Sequence, residues 1–222
     1  MEEKEKIYCF DFDGTLTTRD TLLEIIRYDA GTWPMLLGFL LYSPLLVLMK
    51  LHLFPNWKAK QLIFSYFFKH RSLESFDDMC CRFAQTHQDL LRPHIIDLVR
   101  KAIEAHHRVF IVSASIENWV RPFLKLQGIE GVEVLGTQID HKDNLLTGRF
   151  CSANCYGEEK VHRICQALTR TLDNGKGVTS FSFDRTHYYI YAYGDSRGDR
   201  EMLAFADKGY YIRDGKPTAT KQ

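Results

Sequence analysis

The chain has 222 residues, 45% of them hydrophobic, enough for one domain with an insert and too apolar for a disordered protein. Its formal net charge is +1 and its pI near 7.7, so composition makes no electrostatic case for a nucleic-acid partner. Six cysteines, two of them adjacent at Cys80 and Cys81, lack zinc-knuckle spacing and read as buried free thiols. Cys151, Cys155 and His162 could meet around a metal, but ordinary packing is the simpler account.

In chain order, a charged leader over residues 1–6 runs straight into 7–10, a β-branched and aromatic run that reads as a buried parallel strand. The leader lacks the pattern of a secretory signal, so a cytoplasmic location is expected. The strand closes on Asp11-Phe12-Asp13-Gly14-Thr15. Such a strand end delivers acidic side chains to the edge of the sheet where open α/β folds bind ligands. Alternation sets Asp11 and Asp13 on one side, where one can attack while the other moves a proton and a cation offsets their repulsion. A helix-capping loop is the plain alternative.

Asp20 then caps a helical pattern. Residues 31–90 show no convincing strand and read as several helices broken at Pro34, Pro44 and Pro55, before Arg92-Pro93 starts another. Strand and helix alternate again from there. A strand at 108–112 ends in Ser113-Ala114-Ser115, and a helix at 116–126 leads to a strand at 132–135. A hairpin follows around Asp143-Asn144, then a helix over 158–172 that opens with Gly157-Glu158-Glu159-Lys160, and a turn at 173–177. A strand at 188–193 ends in Gly194-Asp195-Ser196-Arg197-Gly198-Asp199. The expected fold is a doubly wound parallel α/β core, residues 1–18 and 91–222, with a helical cap inserted at 19–90.

Asp-x-Asp-Gly-Thr near the start, a Ser after a second strand, a Lys and a late acidic pair occur in that order. Together they resemble the haloacid dehalogenase superfamily from about residue 7 to about residue 212. The similarity is greatest to the branch holding phosphoserine phosphatases and phosphatidylglycerophosphatase C. The resemblance implies a phosphatase in which Asp11 is the nucleophile, forming an aspartyl phosphate, and Asp13 is the acid and base. Dehalogenases of the superfamily do not carry the second Asp. Mg2+ is implied at Asp11, the Asp13 carbonyl and Asp195, with Asp199 in support. Ser113 and Lys160 would hold phosphate oxygens, Gly14 would allow close backbone approach, and Thr15 would hydrogen-bond within the loop. In isolation Ser113 also reads as a helix cap and Lys160 as a solvated helix residue.

Gly14 stands where phosphoserine phosphatases carry Ser, Asp20 near their Glu, and Gly198 where they carry Asn. Asp20 could read an amine or hydroxyl, or only cap its helix. The uncharged stretch 30–49 is long enough for a membrane span. Yet Asp11 precedes it while Ser113, Lys160 and Asp195 follow, so one crossing would split the site. A hairpin of the apolar segment 33–57 dipping into the interface is one reading, with Trp33, Trp57 and Lys50 and the following Lys58 and Lys60 at headgroup depth. A hydrophobic cap core or a dimer contact is the other. The apolar, Pro-broken cap after the first motif is similar to that of phosphatidylglycerophosphatase C, a resemblance that implies a lipid-borne phosphomonoester ahead of a small soluble one, with a non-catalytic phosphate-binding or membrane-surface protein as the further alternative.

Overall fold

The computed structural model describes residues 4–51, 53–172 and 183–220; the turn expected at 173–177 lies outside them. Strand β1 (Glu5–Phe10) pairs in parallel with β2 (Arg108–Ile116) on one side and β6 (Tyr188–Gly194) on the other. Beyond β2 lies β3 (Glu133–Thr137), and beyond β6 lies β7 (Lys208–Arg213), both parallel. Strand β8 (Lys216–Ala219) closes that edge as an antiparallel hairpin. The order of strands reverses at β1, so its carboxyl end opens into the crevice where such sheets bind ligands.

Alternation in β1 feeds two cores, which is why apolar residues run consecutively there. Ile7 and Cys9 pack with Ile164 and Leu168 of helix α7 (Glu158–Leu172) and Met202 of α8 (Arg200–Phe205). Phe10 faces the other way, into a cluster with Ile96 and Val99 of α5 (Pro93–Glu104) and with Trp119 and Phe123 of α6 (Glu117–Leu126).

Between β1 and α5 the chain builds four helices: α1 (Thr21–Ala30), α2 (Thr32–Lys50), α3 (Asn56–Phe68) and α4 (Leu73–Thr86). Asp20 starts α1 by accepting the Leu22 and Leu23 N–H groups at 2.9 and 3.4 Å, which satisfies two donors that the helix itself leaves unpaired. Ser72 caps α4 by accepting the Ser75 N–H at 3.2 Å. The chain enters and leaves the cap through a paired neck, with Thr18 N–H on the Leu90 carbonyl at 2.8 Å and Arg92 N–H on the Leu16 carbonyl at 2.7 Å. The expected hairpin is β4 (Ile139–Lys142) and β5 (Leu145–Phe150), turning through Asp143 and Asn144 at φ 51° and 62°. Residues Asp and Asn tolerate that left-handed backbone best after Gly. The hairpin lies against the cap, its Leu146 carbonyl accepting the His70 N–H at 2.9 Å.

Two expectations are corrected. The break predicted at Pro44 does not occur: α2 runs from Thr32 to Lys50 with Pro44 inside it. Proline removes one helical hydrogen bond, to the Leu40 carbonyl, and both residues lie on the exposed side of the helix, where that carbonyl is not shut away from water. Pro34 sits in the first turn and Pro55 precedes α3, positions where no N–H partner is required. The strand predicted at 108–112 continues to Ile116, with a register shift against β3 between Val112 and Ile116.

Candidate active site

Beyond Phe10 the chain stays extended at Asp11 (φ −69°, ψ 162°) and then makes one wide turn, closed by Thr17 N–H on the Phe12 carbonyl at 2.9 Å. Gly14 takes φ 75°, and a Cβ there would stand 2.0 Å from Asp195 Oδ2. Glycine is therefore needed both for its backbone and for its lack of a side chain. The hydroxyl that fastens this loop is not the expected one. Thr17 Oγ1 accepts the Gly14 N–H at 3.2 Å and donates to the Arg19 carbonyl at 2.8 Å. Thr15 is fully buried, its hydroxyl is without a hydrogen-bond partner, and it does not line the cavity into which a phosphate would enter.

Lys160, in the first turn of α7, is 2% exposed and donates to Asp11 Oδ1 and Asp199 Oδ1, each at 2.5 Å. Burial works against its charge, but the two carboxylates outweigh that and hold the ammonium above its ordinary pKa. Burial and the neighbouring Asp199 charge push Asp11 upward against the pull of Lys160. The second oxygen of Asp199 accepts from Ser196 Oγ, Ser196 N–H and Asp195 N–H at 2.7, 2.9 and 3.2 Å. Both oxygens of Asp199 are therefore engaged, and it positions Lys160 and the 195–199 turn.

Asp195 differs. Its Oδ1 is buried with no partner, and burial, then the Asp199 charge, push its pKa up to about 6. Oxygens of Asp11, Asp195 and Asp199 lie within 4.8 Å of one another. An orphaned carboxylate oxygen among like charges is costly on its own and suits a hard divalent cation. Asp11 and Asp195 would hold Mg2+, which when bound would neutralise charge on a phosphoryl group.

Asp13 lines the same cavity. Its Oδ1 accepts the Thr21 N–H and hydroxyl at 2.8 and 2.6 Å, and its Oδ2 accepts the Ser115 hydroxyl. Thr21 Oγ1 in turn receives Trp119 Nε1 at 3.0 Å. Burial and the Asp20 charge raise the Asp13 pKa, opposed by the bonds from Ser115 and Thr21. A carboxyl group with its pKa raised and its orientation fixed is equipped to carry a proton. Sequence reading singled out none of Thr21, Ser115 and Trp119; the second Ser of Ser-Ala-Ser was the one signal available.

Ser113 lines the cavity beside Lys160, its Oγ accepting the Ser115 N–H at 3.0 Å, which leaves the hydroxyl proton for another acceptor. The capping alternative for Ser113 does not hold, since α6 begins at Glu117 behind Ile116. Asp20 both caps α1 and lines the cavity.

The cap adds a residue that sequence reading put elsewhere. Lys60, expected at headgroup depth, points into the cavity and donates to the Ala114 carbonyl at 2.6 Å. It shares a face of α3 with buried Ile63 and Phe64, at helical spacing. The Ala114 carbonyl lies in the irregular part of β2 and also accepts the Thr137 hydroxyl at 2.8 Å. Burial lowers the Lys60 pKa, opposed by Asp13 and Asp20. The cavity measures about 520 Å³, with a floor of the groups above and an apolar wall of Leu22, Phe39, Leu46, Met49 and Ile63. The set of Cys151, Cys155 and His162 does not converge: Cys151 Sγ bonds the Ile139 carbonyl, His162 faces Glu159, and burial pushes the Cys155 thiol up to about 12.

A family model of the haloacid dehalogenase-like hydrolases matches residues 9–204, and the chain belongs to that family. It is 30% identical to Protein CicA of Caulobacter vibrioides, over 98% of this chain and 90% of that protein. Among solved structures, a protein of unknown function from Bordetella pertussis Tohama I aligns with a TM-score of 0.73 at 19% identity, covering 91% of this chain and 87% of the other. A substrate-bound phosphoserine phosphatase aligns with a TM-score of 0.56 at 16% identity, covering 92% and 84%. The mostly parallel core with its helical cap is thus the fold of the phosphoserine phosphatase-like members.

Proposed function

We propose that the protein is a Mg2+-dependent phosphomonoester phosphatase working through an aspartyl phosphate on Asp11. The observation that carries this reading is one buried lysine clamped between Asp11 and Asp199, with Asp195 alongside and Asp13 held in the same cavity. Asp11 attacks phosphorus, the bond from phosphorus to the leaving oxygen breaks, and the Asp13 proton goes to that oxygen. Asp13 then takes a proton from water, whose oxygen attacks the same phosphorus and frees Asp11 as inorganic phosphate departs. Lys160 and the Ser113 hydroxyl bind the non-bridging oxygens throughout.

A lipid-borne phosphomonoester is the substrate class favoured by the apolar cap wall of Leu22, Phe39, Leu46, Met49 and Ile63. A soluble amino-acid phosphate is the second reading, favoured by Asp20 and Lys60, opposite charges lining one cavity that match an amine and a carboxylate. The test is phosphate release from p-nitrophenyl phosphate, phosphoserine and phosphatidylglycerophosphate, with Mg2+ or EDTA. Turnover that needs the metal and is lost in Asp11→Asn is expected, highest on the lipid phosphate. Near-normal turnover by Asp11→Asn overturns the nucleophile assignment, and absence of turnover on every substrate favours a phosphate-binding protein.

A further inference from the structure

We propose that the outer face of α2 docks on an anionic bilayer surface, with the helix lying along the membrane instead of crossing it. This extends the phosphatase reading without depending on which phosphate is hydrolysed.

Helix α2 inverts the usual pattern of a surface helix. Met35 and Gly38 face inward, Gly38 lying so close to Phe67 that a Cβ would stand 2.6 Å from that ring. The outward positions Trp33, Leu36, Leu37, Leu40, Leu41, Val47 and Leu48 recur at helical spacing and are 38% to 78% exposed. No charge interrupts residues 32–49. A contiguous apolar face of this kind marks an interaction surface.

Charge selects the occupant. Residues 31–73 contain Lys50, Lys58, Lys60, Lys69 and Arg71 and no Asp or Glu. Lys60 is spent in the cavity, Arg71 pairs with Asp29 at 2.7 Å and Lys69 lies by the β4–β5 hairpin, which leaves exposed Lys50 at the end of α2 and Lys58 at the start of α3 beside the apolar face. A second copy meeting the same face would bring these cations together, whereas anionic headgroups complement them. Trp33 and Trp57, 78% and 45% exposed, suit the headgroup boundary, and Lys58 lies over the Trp57 ring.

Orientation follows from the flanking helices. Thr21 of α1 is bonded to Asp13 and Lys60 of α3 to Ala114, so the elements on both sides of α2 are tied to one catalytic core. A crossing would separate them. The opposite side of α2 supplies Phe39, Leu46 and Met49 to the cavity wall, so the docked face and the mouth of the site share one helix.

The test is cosedimentation of the full chain with phosphatidylcholine vesicles with and without phosphatidylglycerol, beside sedimentation velocity without lipid. Wild type is expected to pellet with the anionic vesicles. Leu40→Glu combined with Leu41→Glu, two exposed positions outside the cavity lining, should lower binding about tenfold or more, and Lys58→Glu should weaken binding to anionic vesicles selectively. Circular dichroism and p-nitrophenyl phosphate turnover should match wild type in both. Wild type remaining in the supernatant overturns the proposal. A lipid-independent dimer that the double variant dissociates, without vesicle binding, assigns the face to a second copy instead. Vesicle binding by a chain that hydrolyses nothing would overturn the phosphatase reading and leave this one intact.

Discussion

The Lys60 ammonium of the cap and the Ala114 carbonyl of the core are joined at 2.6 Å across the mouth of the cavity, one residue after Ser113. The bond puts a cation on the side of the cavity that holds Asp13 and Asp20. Lys60→Met is expected to raise KM about tenfold or more for phosphates whose leaving group bears an anion, the worth of one charge-assisted hydrogen bond. Turnover of p-nitrophenyl phosphate should change little. Steady-state kinetics on the two substrate types checks this, and equal losses on both would place Lys60 in cap structure alone.

The chain of bonds from Trp119 through Thr21 fixes Asp13, the proposed proton carrier. Asp13→Asn should lower kcat about 10²–10⁴-fold on alkyl phosphates, the usual contribution of a positioned acid, and much less on p-nitrophenyl phosphate, whose leaving group needs no proton. Thr21→Val should give a smaller loss with the same dependence on leaving group. A loss independent of the leaving group would remove Asp13 from the acid role.

Gly14→Ala combines a left-handed backbone with a Cβ placed on Asp195 Oδ2. Destabilisation of about 1–3 kcal/mol is expected from the backbone alone. The displaced Asp195 should also weaken Mg2+ binding, read as a smaller thermal shift on adding the metal. An unchanged Mg2+ shift would show that Asp195 is not a ligand.

Asp195 supplies a pH signature. Its pKa is raised to about 6, above the value near 3.9 expected in the unfolded chain, so the folded state holds that proton more tightly. In EDTA this component stabilises the fold at low pH and is lost as pH rises from about 4 through about 6. Thermal melts of wild type minus Asp195→Asn should show the difference falling over that window. Mg2+ held by Asp195 would compete with the same proton, so its stabilising shift should shrink below about pH 6.

Much of this site was legible because each motif combines a strand or helix boundary with a residue type unusual there. Asp11 after an apolar strand and Asp195 after Tyr188–Gly194 announce themselves in that way. Thr21, Trp119 and Lys60 do not, because each reads locally as something ordinary: a helix start, a core aromatic, a basic helix face. Their roles arise only when distant elements meet, Lys60 lying 54 positions from Ala114. Pro44 misled for the opposite reason. A strong local rule was applied to a helix whose exposed side tolerates one missing bond.

The antiparallel neck of Thr17 and Leu91 gives the cap two adjacent ends on a fixed seam. Any helical segment that returns to its starting point can be spliced there without moving the register of β1. Asp11, Ser113 and Lys160 lie outside that insert while Lys60 and the Thr21 that holds Asp13 lie inside it, so a foreign cap grafted there should change substrate choice and keep turnover only if it restores the bonds to Asp13.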